Sequence, residues 1–361
     1  MGSAQEDAAR HYAVLQALRD SPGGDPLAAD APNATVNNPK WFRRFDGNSI
    51  ALPGRARLQA SLVSSIASQG SMAERGSAPV AIVLAGPPGA GKSTSFNDVF
   101  ARRDNAVTAG MDRSDFVVID ADEIKARLLD AARADGSLEA EIKPPVVRDL
   151  ESRGEVFSSL DLSSLVHEES SMIAKMVRDD AISQRKHLVL DQVCSSMAKT
   201  AEVVNRLDAA GYSVRVVEIH ATREFSLEST FGRYVDAAAR GQVARRVPTE
   251  AVKSVFNADG TSKPRRAVEA LLTAVPSKVS EYRRYDAREL AKPPVLVEVG
   301  VRVADGRVLR RTVADPELGT PLRKKTKAEV LAAQRDRARS LLDKSGGSQP
   351  GIQRGCGSRG S

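Results

Sequence analysis

Short runs of consecutive apolar residues recur through the middle of the chain and alternate with stretches that repeat at helical spacing. Ala81-Ile82-Val83-Leu84-Ala85 is the first run, Phe116-Val117-Val118-Ile119 the second, His187-Leu188-Val189-Leu190 the third, and Ser213 to Ile219 the fourth. Runs rich in Val, Ile and Leu, without polar alternation, predict strands buried on both faces. Between them, Leu128 and Leu129, Met172 to Val177, and Ala201 to Ala210 closed by Gly211 predict covering helices. The expected fold class is therefore α/β, a three-layer αβα arrangement around a mostly parallel sheet.

The pattern fades toward both ends. Residues 1–38 are rich in Ala, Asp, Pro, Gly and Asn, with a short helical pattern from His11 to Leu18, and are expected to be flexible or ordered only on a partner. Trp41 and Phe42 open a stretch through Val63 that predicts a helix laid against the core, and the Gly/Ser-rich end at 70–77 makes residues 39–77 a helical extension and linker. The main domain is expected over 78–290. Beyond it, Val295 to Val299 and Arg307 to Leu309 flank Ala304-Asp305-Gly306, a hairpin pattern, and Lys327 to Leu342 predicts a basic amphipathic helix. Residues 291–344 thus read as an appended hairpin and helix, and 345–361 as a low-complexity tail without a fold.

A chain of 361 residues with 41% hydrophobic content supports one large core with flanks. Its two cysteines, Cys194 and Cys356, have no metal-binding or disulfide-framework spacing, which fits a reducing, cytoplasmic compartment. No run of about 18 apolar residues occurs, and the first 30 residues lack a secretory apolar core, so no membrane partner is expected. The net charge of +7 is concentrated late, in Arg302, Arg307, Arg310, Arg311, Arg323, Lys324, Lys325 and Lys327. Such a cluster suits a nucleic-acid backbone, an acidic partner, or simply a solvated surface. It holds no aromatic residues to stack on bases, which disfavours nucleic acid.

The first apolar run leads into Gly86-Pro87-Pro88-Gly89-Ala90-Gly91-Lys92-Ser93, a complete G-x-x-x-x-G-K-S loop, and Thr94 onward starts a helix. Backbone N–H groups of such a turn face phosphate oxygens. Lys92 adds a cation for the β- and γ-phosphates, and the Ser93 hydroxyl suits Mg2+. Residues 86–94 are the expected ATP-binding segment, and the sheet is of P-loop NTPase type.

In a parallel sheet the carboxyl ends of the strands face the ligand crevice, so Asp120-Ala121-Asp122-Glu123-Ile124-Lys125 is expected beside that loop. A carboxylate there accepts the proton of an attacking hydroxyl or orients Mg2+. Asp122 is the expected base, with Asp120 and Lys125 among the substrate contacts; either aspartate also suits a helix N-cap. His167-Glu168-Glu169-Ser170-Ser171 opens a further helix, but H-E-x-x-H fails because position 171 is Ser. His167 and Ser171 read equally as substrate contacts or as structural residues. Asp191, ending the third run, is placed either to help hold Mg2+ and contact substrate or to cap the next segment. Arg233, Arg240, Arg245 and Arg246 follow the fourth run. Guanidinium groups on a mobile segment suit the charge that develops in phosphoryl transfer, and Arg233, Arg245 and Arg246 are the expected catalytic cations.

This string of features resembles the zeta toxin family of P-loop kinases. The matching residues are Gly86 to Ser93, Ile119 to Lys125, His167 to Ser171, the run ending at Asp191, and Arg233-Tyr234 followed by Arg245-Arg246-Val247-Pro248. The resemblance implies an ATP-dependent kinase that phosphorylates a hydroxyl of a nucleotide-linked small molecule, often the 3′-hydroxyl of UDP-N-acetylglucosamine, with a toxic outcome. It also implies Asp122 as base, Lys92 with Ser93 or Thr94 on ATP and magnesium, Arg233 and Arg245 as phosphate clamps, and an antitoxin or chaperone partner. Family members acting on the nucleotide sugar carry Glu-Gly-Thr and a nearby Arg after the third strand, where this chain has Asp191-Gln192-Val193-Cys194-Ser195. Related secreted bacterial effectors phosphorylate NAD, so an NAD kinase delivered into a host cell is the alternative. A polynucleotide-kinase-like enzyme is the reading from another class.

Overall fold

A computed structural model describes residues 4–101, 104–243 and 245–313. Among the described residues the strands are β1 (Phe42–Phe45), β2 (Asn48–Ala51), β3 (Val80–Ala85), β4 (Phe116–Asp120), β5 (His187–Asp191), β6 (Ser213–His220), β7 (Val279–Asp286), β8 (Val295–Arg302) and β9 (Val308–Thr312). The α-helices are α1 (Ala4–Arg19), α2 (Pro53–Ala67), α3 (Lys92–Ala101), α4 (Asn105–Thr108), α5 (Ala121–Ala134), α6 (Pro145–Ser152), α7 (His167–Ser183), α8 (Met197–Ala209), α9 (Arg223–Ala239), α10 (Thr249–Lys253) and α11 (Lys263–Thr273).

Seven strands form the central sheet in the order β4-β5-β3-β6-β7-β8-β9. The first five are parallel, and β8 and β9 add antiparallel at one edge. Strand β3 shows why its run has no polar alternation. Ala81, Val83 and Ala85 join a core containing residues of α5, α7 and α8, while Val80, Ile82 and Leu84 join a second core with Phe96 and Val99 of α3. Both faces are covered, as parallel sheets require, and the three-layer α/β expectation holds.

The N-terminal segment departs from its expectation of flexibility. Helix α1 buries Ala8, Leu15 and Leu18, and the following turns add Leu27, Ala31 and Ala34 to the larger core. Tyr12 meets Phe231 and Tyr234 of α9 edge-on, with ring centroids 5.0 and 5.4 Å apart. The apolar stripe is short and built partly of alanine, so composition hides it; a complementary aromatic surface on α9 makes it bury.

Three further differences have local causes. Trp41 and Phe42 lead into the β1–β2 hairpin before α2 begins. Its turn is Asp46-Gly47, with φ of 48° and 73°, the backbone that a two-residue hairpin of right-handed twist demands. Strand β7 was absent from the sequence expectation because Val-Ser-Glu-Tyr-Arg-Arg-Tyr-Asp looks polar. Tyr282 is nevertheless fully buried, its hydroxyl donating to Glu218 at 2.6 Å, and Arg283 pairs with Asp104. Finally, the β8–β9 hairpin is no appendage but extends the central sheet through β7. Residues up to Val313 form one compact unit, not a series of flanks around 78–290.

Of the late basic cluster, Arg307 pairs with Asp305, Arg310 with Glu269, and Arg302 donates to the Ser277 carbonyl. Arg323, Lys324, Lys325, Lys327, the basic helix, the tail and Cys356 lie outside the described residues. Among the described residues no helix is long and apolar enough to cross a membrane.

Candidate active site

Strand β3 delivers the glycine loop to the carboxyl edge of the sheet, and α3 begins at Lys92. Gly89 and Gly91 have φ of 77° and 88°, where a side chain would be strained. The loop is clamped from three sides. A Cβ on Gly86 would stand 2.6 Å from the Ile219 carbonyl of β6, and one on Gly91 2.9 Å from Pro294. Ser229 of α9 donates to the Gly89 carbonyl at 2.8 Å. Gly86 and Pro87 are buried beneath the loop, while Pro88 to Thr94 line an open cleft of about 1430 Å³. Ser93 and Thr94 are exposed there. Lys92 donates to the Gly86 carbonyl at 3.3 Å and stands 3.8 Å from Asp191.

The carboxylates converge on the same cleft because β4 and β5 are neighbours in register, Asp120 opposite Asp191. Asp120 caps α5, accepting from the Asp122 N–H at 2.8 Å. Burial pushes the Asp120 carboxyl above its ordinary range and Glu123 adds to this, with Lys92 and Arg245 opposing. Asp191 is likewise pushed up by burial, opposed by Lys92 and helped by Asp120.

Asp122 sits half exposed in the first turn of α5 and forms ion pairs with Arg245 and, at 3.2 Å, with Lys125. Lys125 is buried, and that desolvation lowers its pKa to about 8 against the attraction of Asp120. His167 starts α7 and lines the cleft. Burial and then Lys125 lower its pKa, which keeps the ring neutral near pH 7. Ser171 also lines the cleft, but its hydroxyl donates back to the His167 carbonyl at 3.0 Å. Glu169 of the same motif faces the core. Arg55 grips it with two bonds of 2.7 and 2.6 Å, and Gln59 adds a third at 3.0 Å.

Arg233 of α9 and Arg245 line the cleft. Arg246 does not, contrary to its expected catalytic place. It is buried against α1, donating to Gln16 at 2.7 Å with its guanidinium over the Tyr12 ring. The docked α1 supplies an aromatic and amide seat that no sequence pattern near Arg246 announces.

Sequence reasoning also missed cleft residues. Lys175 and Arg178 follow His167 and Ser171 along one face of α7, so helical spacing from the motif would have found them. Arg19 and Asp25 come from the segment expected to be flexible and carried no usable pattern.

No group of three or more His, Cys, Asp or Glu suited to hold a metal alone occurs among the described residues. The exposed Ser93 hydroxyl and the paired Asp120 and Asp191 carboxylates are nonetheless hard oxygen donors of the kind Mg2+ takes together with substrate phosphates.

A strand, a glycine loop closing on a lysine and serine, and a helix, set beside carboxylates from adjoining strand ends, define a P-loop α/β domain. A model of the zeta toxin family matches residues 64–143 and 145–290, and the chain belongs to that family. Among solved structures, the AvrRxo1-ORF1:-ORF2 complex with ATP is similar at 18% identity, covering 81% of this chain and 86% of that one, with a TM-score of 0.51. The same pair with sulphate ions gives 19% identity, coverage of 81% and 86%, and a TM-score of 0.50. A chain of the PezAT chromosomal toxin-antitoxin system of Streptococcus pneumoniae gives 16% identity, coverage of 80% and 95%, and a TM-score of 0.43. No curated protein sequence matches the chain.

Proposed function

We propose that the protein is an ATP-dependent small-molecule kinase, transferring the γ-phosphoryl group of ATP to a hydroxyl of a nucleotide-linked acceptor. The observation that carries this reading is the shared cleft. The phosphate loop with Lys92 opens into the same space as Asp122, and Arg233 and Arg245 line it. Family membership supports the assignment, and a solved structure of this fold contains ATP.

In this reading the N–H groups of 88–91 and Lys92 cradle the triphosphate, with the Lys92 cation moving from Gly86 and Asp191 to the β- and γ-oxygens. Asp122 takes the proton of the acceptor hydroxyl, its half-exposed carboxylate opening to the cleft side. Arg245 exchanges its Asp122 partner for the transferring phosphoryl oxygens, which frees the base as the charge that draws the arginine arrives. Arg233 adds a second cation and His167 a neutral polar contact to the acceptor. Ser93 and Asp191 would hold Mg2+, which when bound neutralises charge between the β- and γ-phosphates.

The acceptors to test are UDP-N-acetylglucosamine and NAD. Departure of Asp191-Gln192-Val193 from the Glu-Gly-Thr pattern of the sugar-nucleotide enzymes favours including NAD from the start. Toxicity of the product, and an antitoxin or chaperone partner, follow from the same reading; the solved neighbour is itself a two-protein complex. Incubation with γ-labelled ATP and each acceptor, with products resolved by mass spectrometry, tests it. A mass gain of one phosphoryl group on either acceptor is expected. ATP that stays intact in the presence of both and of a cell metabolite extract would refute the kinase assignment.

A further inference from the structure

Residues before Ser64 lie outside the segment that matches the family, yet they reach the active cleft. Arg19, at the end of α1, and Asp25 and Leu27 in the turns that follow, line the same space as Lys92 and Asp122. Helix α1 runs along α9, the helix that carries Arg233.

The contact that matters most is on the loop between α9 and α10. Arg245 and Arg246 are adjacent in sequence and their side chains part. Arg245 goes into the cleft to Asp122; Arg246 goes to α1, where Gln16 accepts its hydrogen bond at 2.7 Å and Tyr12 lies under its guanidinium at 5.2 Å. Around this point the loop belongs to no strand, and the next residue, Val247, packs on Val252, Val255 and Phe256. A buried guanidinium held by a hydrogen bond and a ring face has little freedom to move, and it fixes the backbone atoms one residue from Arg245.

We propose that Tyr12 and Gln16 of α1 are positioning residues for the reaction: by anchoring Arg246 they set residues 245–248 so that Arg245 pairs with Asp122. This rests on the roles given above to Arg245 and Asp122. The N-terminal segment is then a working part of this enzyme's active site, specific to chains that carry α1, and not a dispensable leader.

Hydrogen–deuterium exchange on the full chain tests the anchor without relying on turnover. In Gln16→Ala and in Tyr12→Ala, amides in 245–248 are expected to exchange about tenfold faster, the scale of one lost charge-assisted hydrogen bond. Amides of β3 and α3 should be unchanged. Tyr12→Phe keeps the ring under Arg246 and should behave as wild type. In turnover assays the two alanine variants should lower kcat with the KM for ATP unchanged. Wild-type exchange in 245–248 for both alanine variants would overturn the inference, as would acceleration spread equally through the central sheet. Absence of phosphoryl transfer by the wild type would instead strike the kinase reading, and the exchange result would still decide whether α1 anchors the loop.

Discussion

Arg245 and Asp122 form an ion pair in the cleft, and Lys125 pairs with the same carboxylate at 3.2 Å. The expected base is thus engaged by two cations. In the proposed reaction the transferring phosphoryl group offers Arg245 a stronger anion, which would couple release of the base to the transfer step and not to ATP binding.

Lys92 closes the glycine loop, donating to the Gly86 carbonyl at 3.3 Å and standing 3.8 Å from Asp191. Lys92→Ala should weaken ATP binding roughly ten- to hundredfold, the scale of a charge-assisted hydrogen bond to phosphate. Calorimetric titration against the wild type checks this, with circular dichroism confirming the fold; an unchanged Kd would remove Lys92 from the donor site.

Lys125 costs stability where it is charged. Its folded pKa of about 8 lies below the ordinary 10.5, so between those values the unfolded chain binds more protons and stability rises with pH. The penalty is complete below about pH 8. Lys125→Met should therefore raise unfolding stability at pH 7 and flatten its rise between pH 8 and 10, as read by denaturant titration at each pH.

His11 gives the opposite sign. Burial alone would lower its pKa, but Asp161 and Glu155, at 3.4 and 3.3 Å, outweigh it and raise it above 6.5. The stabilisation is complete below about pH 6.5 and is lost as pH rises through the folded value. The stability advantage of the wild type over His11→Gln should therefore shrink from pH 6 to pH 8, as read from the difference between the two thermal midpoints at each pH.

Glu169 separates structure from chemistry within the His167–Ser171 motif. Its buried pair with Arg55 ties α7 to α2. Glu169→Ala leaves a buried guanidinium without its partner and should destabilise by about 3–5 kcal/mol, seen in denaturant unfolding. ATP affinity of the remaining folded protein should stay near that of the wild type.

The parallel sheet was legible because burial on both faces writes itself as uninterrupted runs such as Val80 to Ala85 and His187 to Leu190, and the glycine loop because its backbone permits few alternatives. Asp120, Asp122 and Asp191 could be placed from strand ends alone. Strand β7 was hidden because its polar side chains find partners across the fold: Tyr282 on Glu218 and Arg283 on Asp104 are long-range solutions that no window of sequence contains. The division of labour between Arg245 and Arg246 was hidden for the same reason. It depends on Gln16 and Tyr12, about 230 residues earlier in the chain.

The account turns on Asp122 taking the acceptor proton, and Asp122→Asn tests it most directly. The change keeps size and hydrogen bonding but removes the base. The variant should bind ATP with an affinity close to that of the wild type by calorimetry, while single-turnover transfer from labelled ATP falls by roughly 10²–10⁴. Transfer at the wild-type rate by a variant that binds ATP normally would contradict the assignment.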